Sequence, residues 1–453
     1  VIENRKPGDS SWVINNLAQN HEIEGYASAP SVNRGETISF FVNTPESGYT
    51  MKIFRMGWYG GTGARLMTAP ISLPGVKQPP PPAPDPDTGF YECNWTSTYQ
   101  LTIPDNPTDP TDWTSGFYVV KLTGNDSHTE QYMIFIVRDD ARKSDLLYQS
   151  ASNTYEAYNG WGGMSFYTTP PAYKISYNRP YDRRGSAHFT EWEYNMVRFL
   201  EREGYDVSYC TDLDTHINGN LLLNHKGILT VGHDEYWSWE MRNSFEAARD
   251  AGVNLGFFSA NTCFWQVRYE PSPATGVPNR TIVGYKYDAL AKDPYAKDPT
   301  YSYLTTTQWR LPPVNRPEVT LEGVMFDNLA GANIYGDIIV SDDSSFVFAN
   351  TGLKNGDHLT GLLGKEIDHV WPDSPANIQV IAQSPVPNTS PTIYSNMTVY
   401  RTSAGGTVFA AGTVQWSWGL DDYGTDHPPL ANPAAQQATR NILLQFGAKP
   451  GTP

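Results

Sequence analysis

Near residue 140 the spacing of apolar residues changes from two to about 3.6, and a chain that does this cannot be built from one kind of layer. Before that point, "ETISFFVNT", "YTMKIFRMGW", "YQLTIP", "GFYVVKLTG" and "QYMIFIVRD" alternate apolar with polar residues and stop at Gly, Pro, Asn or Asp. Successive side chains of a strand point to opposite faces, so this pattern predicts a β-sandwich over residues 1–140. The stretch "QPPPPAPDPD" (residues 78–87) interrupts it. Proline carries no backbone donor, so this segment is expected as an exposed loop of extended, polyproline-like character.

After residue 140, "SDLLYQSA" reads as a buried strand. It is followed, past a long aromatic loop, by "TEWEYNMVRFLEREG", where Trp192, Met196, Phe199 and Leu200 fall on one helical face. Thr190 with Glu193 has the spacing of a capping box, and Gly204 offers the stop. "YDVSYC", "KGILTV", the helix "SWEMRNSFEAARDAG" and "VNLGFFSA" then alternate strand with helix, which predicts parallel pairing through right-handed crossovers and a central α/β domain over 141–300. From 301 to 405 the helical period disappears and short strands return ("GDIIVSD", "SFVFAN", "IQVIAQS", "MTVYRTS"), an insertion or β-rich lobe. "GTVFAAGTVQW" and "PAAQQATRNILLQFG" restore the α/β character over 406–453 with a C-terminal helix.

A length of 453 residues allows two or three such domains. With 48 acidic against 32 basic residues, the net charge of -16 disfavours nucleic acid and anionic membranes, both of which reward clustered Lys and Arg, and no apolar run approaches the roughly 20 residues that span a bilayer. A start at Val1 and sequons at Asn94, Asn125, Asn279, Asn388 and Asn396 lead us to expect an exported, extracellular protein. Cys93, Cys210 and Cys263 allow one disulfide at most and lack the spacing of a cysteine zinc site.

In an open parallel sheet, ligands gather at the carboxyl ends of the strands. Three such ends carry polar clusters: "LLYQSA" leads to Asn153, Tyr155 and Tyr158, "KGILTV" to His233, Asp234, Glu235 and Tyr236, and "NLGFFSA" to Asn261 and Trp265. If those strands are neighbours, the clusters share one rim. Ser238 is expected to cap the following helix, whose positive end favours a carboxylate nearby. The glycine-rich "MGWYGGTGAR" lies among the sandwich strands with no helix after it and reads as a turn at a domain interface. "TDLDTH" lacks the glycine and distant glutamate of a calcium loop and reads as a cap.

Taken together, "NTYEAYNGWGG", "VGHDEYWSWEM", "FFSANTCFW", "GKEIDHV" and "AAGTVQWSWGLD", behind a sandwich carrying "RMGWYGGTGAR" and "SGFYVV", resemble the large-subunit core of N,N-dimethylformamidase and its secreted relatives over about residues 20–445. The resemblance implies an immunoglobulin-like sandwich joined to a glutamine-amidotransferase-like α/β domain. It also implies a mononuclear iron, Fe3+ by preference, held by two tyrosinates and a glutamate and used to hydrolyse an amide. By motif, Glu235 matches the glutamate ligand, His233 the histidine beside it, Tyr155 or Tyr158 one tyrosine, Tyr118 of "SGFYVV" the other, and Glu366 of "GKEID" a catalytic glutamate. Asn153, Asp234, Tyr236, Asn261 and Trp265 would line the substrate. The chemistry is self-consistent, because oxygen-only ligation selects a hard ion, and phenols that titrate near pH 10 need such an ion to become phenolates at neutral pH.

The resemblance does not carry a substrate over: the family's best-known member has a longer large subunit and a small companion, and a pocket is shaped by its loops. The partner expected is a small-molecule amide or another small substrate, with self-association into an oligomer or an extracellular assembly also compatible. Two rival readings fit the composition. One is a non-catalytic adhesive or filament-forming protein that kept the fold. The other is a carbohydrate-active or sugar-binding protein, suggested by loops around Trp161, Trp237, Trp239, Trp265 and Trp416 in a chain with 13 Trp and 28 Tyr.

Overall fold

A computed structural model describes residues 1–106, 108, 109, 111–183, 188–424 and 427–451. Its N-terminal part holds two facing sheets. A three-stranded one orders Glu24–Ala27, Thr37–Asn43 and Tyr99–Thr102. The larger orders Ser31–Asn33, Glu130–Arg138, Gly116–Gly124, Gly48–Met56 and Ala64–Leu66, with Ile71–Pro74 also on Gly48–Met56. Ile38, Phe40 and Val42 of the first sheet meet Met51, Ile53, Tyr118, Val120, Met133 and Phe135 of the second in one core. The alternate residues of the larger sheet, Phe54, Met56, Phe117, Val119 and Ile136, enter a different core that belongs to the rest of the chain. Burial on both faces explains why "GFYVV" is apolar without a break, although the strand still alternates between two cores.

The centre is a seven-stranded sheet in the order Val207–Thr211, Leu146–Ser150, Gly227–Gly232, Asn254–Ser259, Thr407–Ala410, Tyr394–Arg401 and Gln379–Pro385. The first five pair in parallel and the last two antiparallel. The chain is thus mixed α/β with many sheets and few helices. Two strands of the β-rich stretch, Gln379–Pro385 and Tyr394–Arg401, extend the central sheet at its edge. Ile334–Ile339 pairs with His358–Lys365 in a separate hairpin. "SFVFAN" forms no strand: Phe346–Phe348 is a 3-10 turn whose cap Ser345 Oγ accepts from Val347 N, and it packs under the C-terminal helix Pro433–Gln445, where Asn441 donates to the Val347 carbonyl over 2.9 Å.

Most local signals act as their chemistry requires. Gly204 ends the helix Tyr194–Glu203 at φ 74, and Ser238 Oγ accepts from Met241 N at the start of Trp239–Asp250. Thr211 and Asp214 form a capping box on the short helix Asp212–Ile217, and the other acid of "TDLDTH", Asp212, accepts from Asn153 N over 2.8 Å. The turn of "MGWYGGTGAR" packs on the helix Tyr194–Glu203, with Tyr194 Oη donating to the Gly63 carbonyl over 2.5 Å and Arg198 over the Trp58 ring. The Thr190–Glu193 capping box does not form. Phe189–Glu193 is a π-helical turn, and the Glu193 carboxylate faces inward to accept from Tyr155 Oη and Ala151 N. The polyproline stretch is almost wholly exposed. All three cysteines are buried free thiols, and the sequon residue Asn396 is buried with its side-chain oxygen accepting from Val370 N. Among the described residues no helix is long and apolar enough to cross a membrane.

Candidate functional site

Strands Leu146–Ser150, Gly227–Gly232 and Asn254–Ser259 are direct neighbours in parallel register, so their carboxyl ends meet. Gly232, at φ 70, lets the chain leave its strand; an added Cβ there would lie 2.5 Å from that of Trp192. The next residues, His233 to Glu235, cross the sheet edge. Glu235 N donates to Thr154 Oγ1 over 3.0 Å, while the Glu235 carbonyl accepts from Phe264 N and Trp265 N. Main-chain bonds on both sides therefore fix where its carboxylate points. A small sheet lies over this edge, ordered Lys174–Ser176, Thr281–Val283, Trp265–Glu270 and Tyr236–Ser238.

Two phenols converge on the Glu235 carboxylate. Tyr158, at the end of the helix Ser152–Tyr158, donates to Oε2 over 3.1 Å; Tyr167, nine residues on in the aromatic loop, lies 3.1 Å from Oε1 and 3.0 Å from Oε2. Their rings stack with centroids 4.2 Å apart. Tyr167 Oη also shares a 2.6 Å hydrogen bond with Tyr236 Oη, which accepts from Lys286 Nζ over 3.1 Å. Tyr167 keeps 41% of its surface exposed, while Glu235, Tyr236 and His233 beneath it are buried.

Beyond Glu235 lies an acid–base pair. His233 Nε2 is 2.9 Å from Glu366 Oε2 and 3.5 Å from Glu235 Oε2. Burial alone would lower the imidazole, but Glu366 and Glu235 outweigh it and raise His233 to about 9. Burial likewise pushes Glu366 up, and the His233 cation, the bond from Asn261 and the nearby Lys365 charge bring it below its ordinary value. Asn261, held at φ 51, donates from Nδ2 to Glu366 Oε2 over 2.8 Å and from its backbone N to Asp368 Oδ1 over 2.9 Å. The His188 ring lies tilted against Tyr158 with centroids 4.7 Å apart, and burial holds it neutral at about 3.

The expected residues thus fall into three groups. Tyr158, His233, Glu235, Tyr236, Asn261 and Glu366 come together, with Trp265 at the margin, 5.1 Å below Lys286 Nζ. Asn153 and Asp234 lie beneath the site and are committed to the fold. Asn153 donates to the Tyr236 carbonyl and accepts from Tyr177 and Tyr269, and Asp234 accepts from Gln149. Tyr118 and Tyr155 do not reach Glu235. Tyr118 is wholly buried in the sandwich core, stacked on Trp113, its hydroxyl donating to the Thr114 carbonyl over 2.8 Å. Its strand turns the alternate residues, Phe117 and Val119, toward the centre instead. Tyr155, one helical turn before Tyr158, bonds to Glu193 and Ser150. Tyr167, Lys286 and His188 were not singled out in the sequence.

Among the described residues no group of three or more His, Cys, Asp and Glu side chains is arranged to hold a metal ion, and the oxygen donors that meet at this sheet edge are the Tyr158 and Tyr167 phenols and the Glu235 carboxylate. Burial and the adjacent Glu235 hold both phenols protonated well above their usual range, and a phenolate in this place requires a cation of its own. Three oxygen donors from separate segments, with both phenols within 3.1 Å of the Glu235 carboxylate, fit a hard ion. Four of the five tryptophans that suggested a sugar platform, Trp161, Trp237, Trp265 and Trp416, are buried, and Trp239 is stacked between Trp309 and Arg316.

The sequence profile of the family described as N,N-dimethylformamidase beta subunit-like, C-terminal, matches residues 50–429. Comparison with curated proteins finds no match. Among solved structures, a family 123 glycoside hydrolase from Clostridium perfringens that hydrolyses glycolipid glycans is similar at 8% identity with a TM-score of 0.12. The alignment covers 46% of this chain and 37% of that one, and at this TM-score it carries no argument.

Proposed function

The chain belongs to the N,N-dimethylformamidase beta subunit-like family, and on that premise we propose that it is a metal-dependent amide hydrolase whose cation is held by Tyr158, Tyr167 and Glu235. The observation that carries this reading is the convergence of two phenol oxygens on one carboxylate, 3.0 to 3.1 Å from it, at the carboxyl end of a parallel sheet. Ferric iron suits the donor set. When bound, such an ion supplies Lewis-acid polarisation of an amide carbonyl.

The protein's own groups do the rest. Glu366, low in proton affinity and fixed by Asn261 and His233, accepts a proton from the attacking water. His233 keeps the Glu366 carboxylate oriented and balances its charge. Transfer of that proton to the amide nitrogen lets the C–N bond break, so that water and amide become carboxylic acid and amine. Localisation outside the cell remains part of this proposal, in keeping with the sequence expectation.

The test is iron content, with the visible charge-transfer band of an iron-bound phenolate, in wild type, Tyr158→Phe, Tyr167→Phe and Glu235→Ala. Tyr118→Phe and Tyr155→Phe serve as controls. Iron should be lost from the first three variants and kept in the two controls. Full iron and an unchanged band in Tyr167→Phe and Glu235→Ala would overturn the assignment.

A further inference from the structure

Lys286 is a buried cation that this reading leaves unused. It is 9% exposed, and among the described residues no carboxylate lies within ion-pair distance of its ammonium. Its Nζ sits 3.6 Å from the centroid of the Tyr167 ring, 5.1 Å from that of Trp265 and 5.7 Å from that of Tyr236, and it donates to Tyr236 Oη over 3.1 Å. The backbone is bent to put it there. Lys286 has φ 54, a conformation uncommon for a residue with a side chain, and the strand of bonds from Lys286 N to the Thr306 carbonyl and from Tyr285 N to Thr306 Oγ1, each 2.9 Å, pins it.

An ammonium withdrawn from water needs compensating negative charge, and ring faces supply only part of it. Two routes lead from Lys286 to the same oxygen. One is direct, through the Tyr167 ring face; the other runs through Tyr236 Oη, 2.6 Å from Tyr167 Oη. Both act on the donor side of the site. Tyr158 is reached only through Tyr167, on which its ring stacks, while its hydroxyl donates to Glu235 over 3.1 Å.

We propose that Lys286 is a positioning residue for Tyr167: it anchors the ring through its face and the hydroxyl through Tyr236, and its charge weakens the electron donation of the Tyr167 oxygen to a bound metal. The proposal rests on the reading of Tyr167 as a metal donor. A cation over a phenolate stabilises the electrons that the oxygen shares, so the energy needed to move one of them to a ferric ion rises. Removing the cation lowers it.

The experiment is the visible spectrum of the iron-loaded full chain in wild type, Lys286→Met, Lys286→Gln and Lys286→Arg, with far-ultraviolet circular dichroism for the fold and iron content for loading. Both neutral variants should load iron and show the phenolate band at longer wavelength than wild type; Lys286→Arg, which keeps the charge, should return it toward the wild-type position. An unshifted band in both neutral variants overturns the role of Lys286 and leaves the metal reading standing. Misfolding of both assigns Lys286 to the fold and also overturns it. A wild-type protein without iron or band overturns both readings together.

Discussion

Replacing Glu193 by Gln tests whether the floor beneath the site stores an unfavourable charge. Glu193 is fully buried between the central sheet and the π-helical turn, its Oε1 accepting from Tyr155 Oη and Ala151 N. Burial, with Asp234 adding to it, raises the carboxyl from its ordinary 4.5 to about 8 against the bonds that favour its charge. The direction of the effect on stability follows from linkage. Below pH 4.5 folded and unfolded chains both hold the proton, and the contribution is present in full; as pH rises the unfolded chain ionises first, and stability is lost until the folded carboxyl ionises near 8. At about 1.4 kcal/mol for each tenfold difference in proton affinity, the loss between those limits reaches about 5 kcal/mol. Glutamine keeps an acceptor for Tyr155 and Ala151 and cannot ionise. Urea unfolding followed by tryptophan fluorescence should therefore find Glu193→Gln close to wild type at pH 4.5 and more stable by several kcal/mol at pH 8.5. Asp368, also raised by burial, titrates in both proteins and drops out of the difference, whereas Asp212, raised by burial and in part by the Glu193 charge, is relieved in the variant and adds to the gain at high pH. Parallel pH profiles for the two proteins would refute the reasoning.

Two further changes probe how the Glu235 segment is held. Gly232→Ala places a methyl 2.5 Å from the Trp192 Cβ at a backbone φ of 70, and should cost about 2–4 kcal/mol, read as a lower urea midpoint. Thr154→Val removes the hydroxyl that accepts from Glu235 N over 3.0 Å and leaves a buried donor unpaired; the expected loss is about 1–3 kcal/mol in the same assay, accompanied by weaker iron retention.

The architecture was largely legible because most of its elements announce themselves through period. Strands that alternate, helices that repeat every 3.6 residues, the stop at Gly204 and the start at Ser238 all follow from local chemistry. What period cannot report is partnership. Nothing in "IQVIAQS" or "MTVYRTS" distinguishes a strand in a separate lobe from one that completes the central sheet, since a short apolar run suits either. The Thr190–Glu193 spacing misled for a related reason: a capping signal is local, whereas the Glu193 carboxylate is drawn inward by Tyr155 and Ala151, which come from another segment.

The site divides in the same way. His233, Glu235 and Asn261 sit immediately after apolar strand runs, so their place at the sheet edge follows from the sequence once the strands are neighbours. Tyr167 lies in an irregular loop where nothing periodic fixes direction, and among 28 tyrosines it has no distinguishing neighbour in the chain. Tyr118 shows the converse. Its strand is regular, and that regularity forbids the role the motif suggested, since a residue whose neighbours Phe117 and Val119 face the central layer must itself face the opposite core. Tyr118 is confined to the sandwich and Tyr155 lies a helical turn behind Tyr158, so the second phenol of the proposed site, Tyr167, comes from the aromatic loop that follows that helix, a segment free of period.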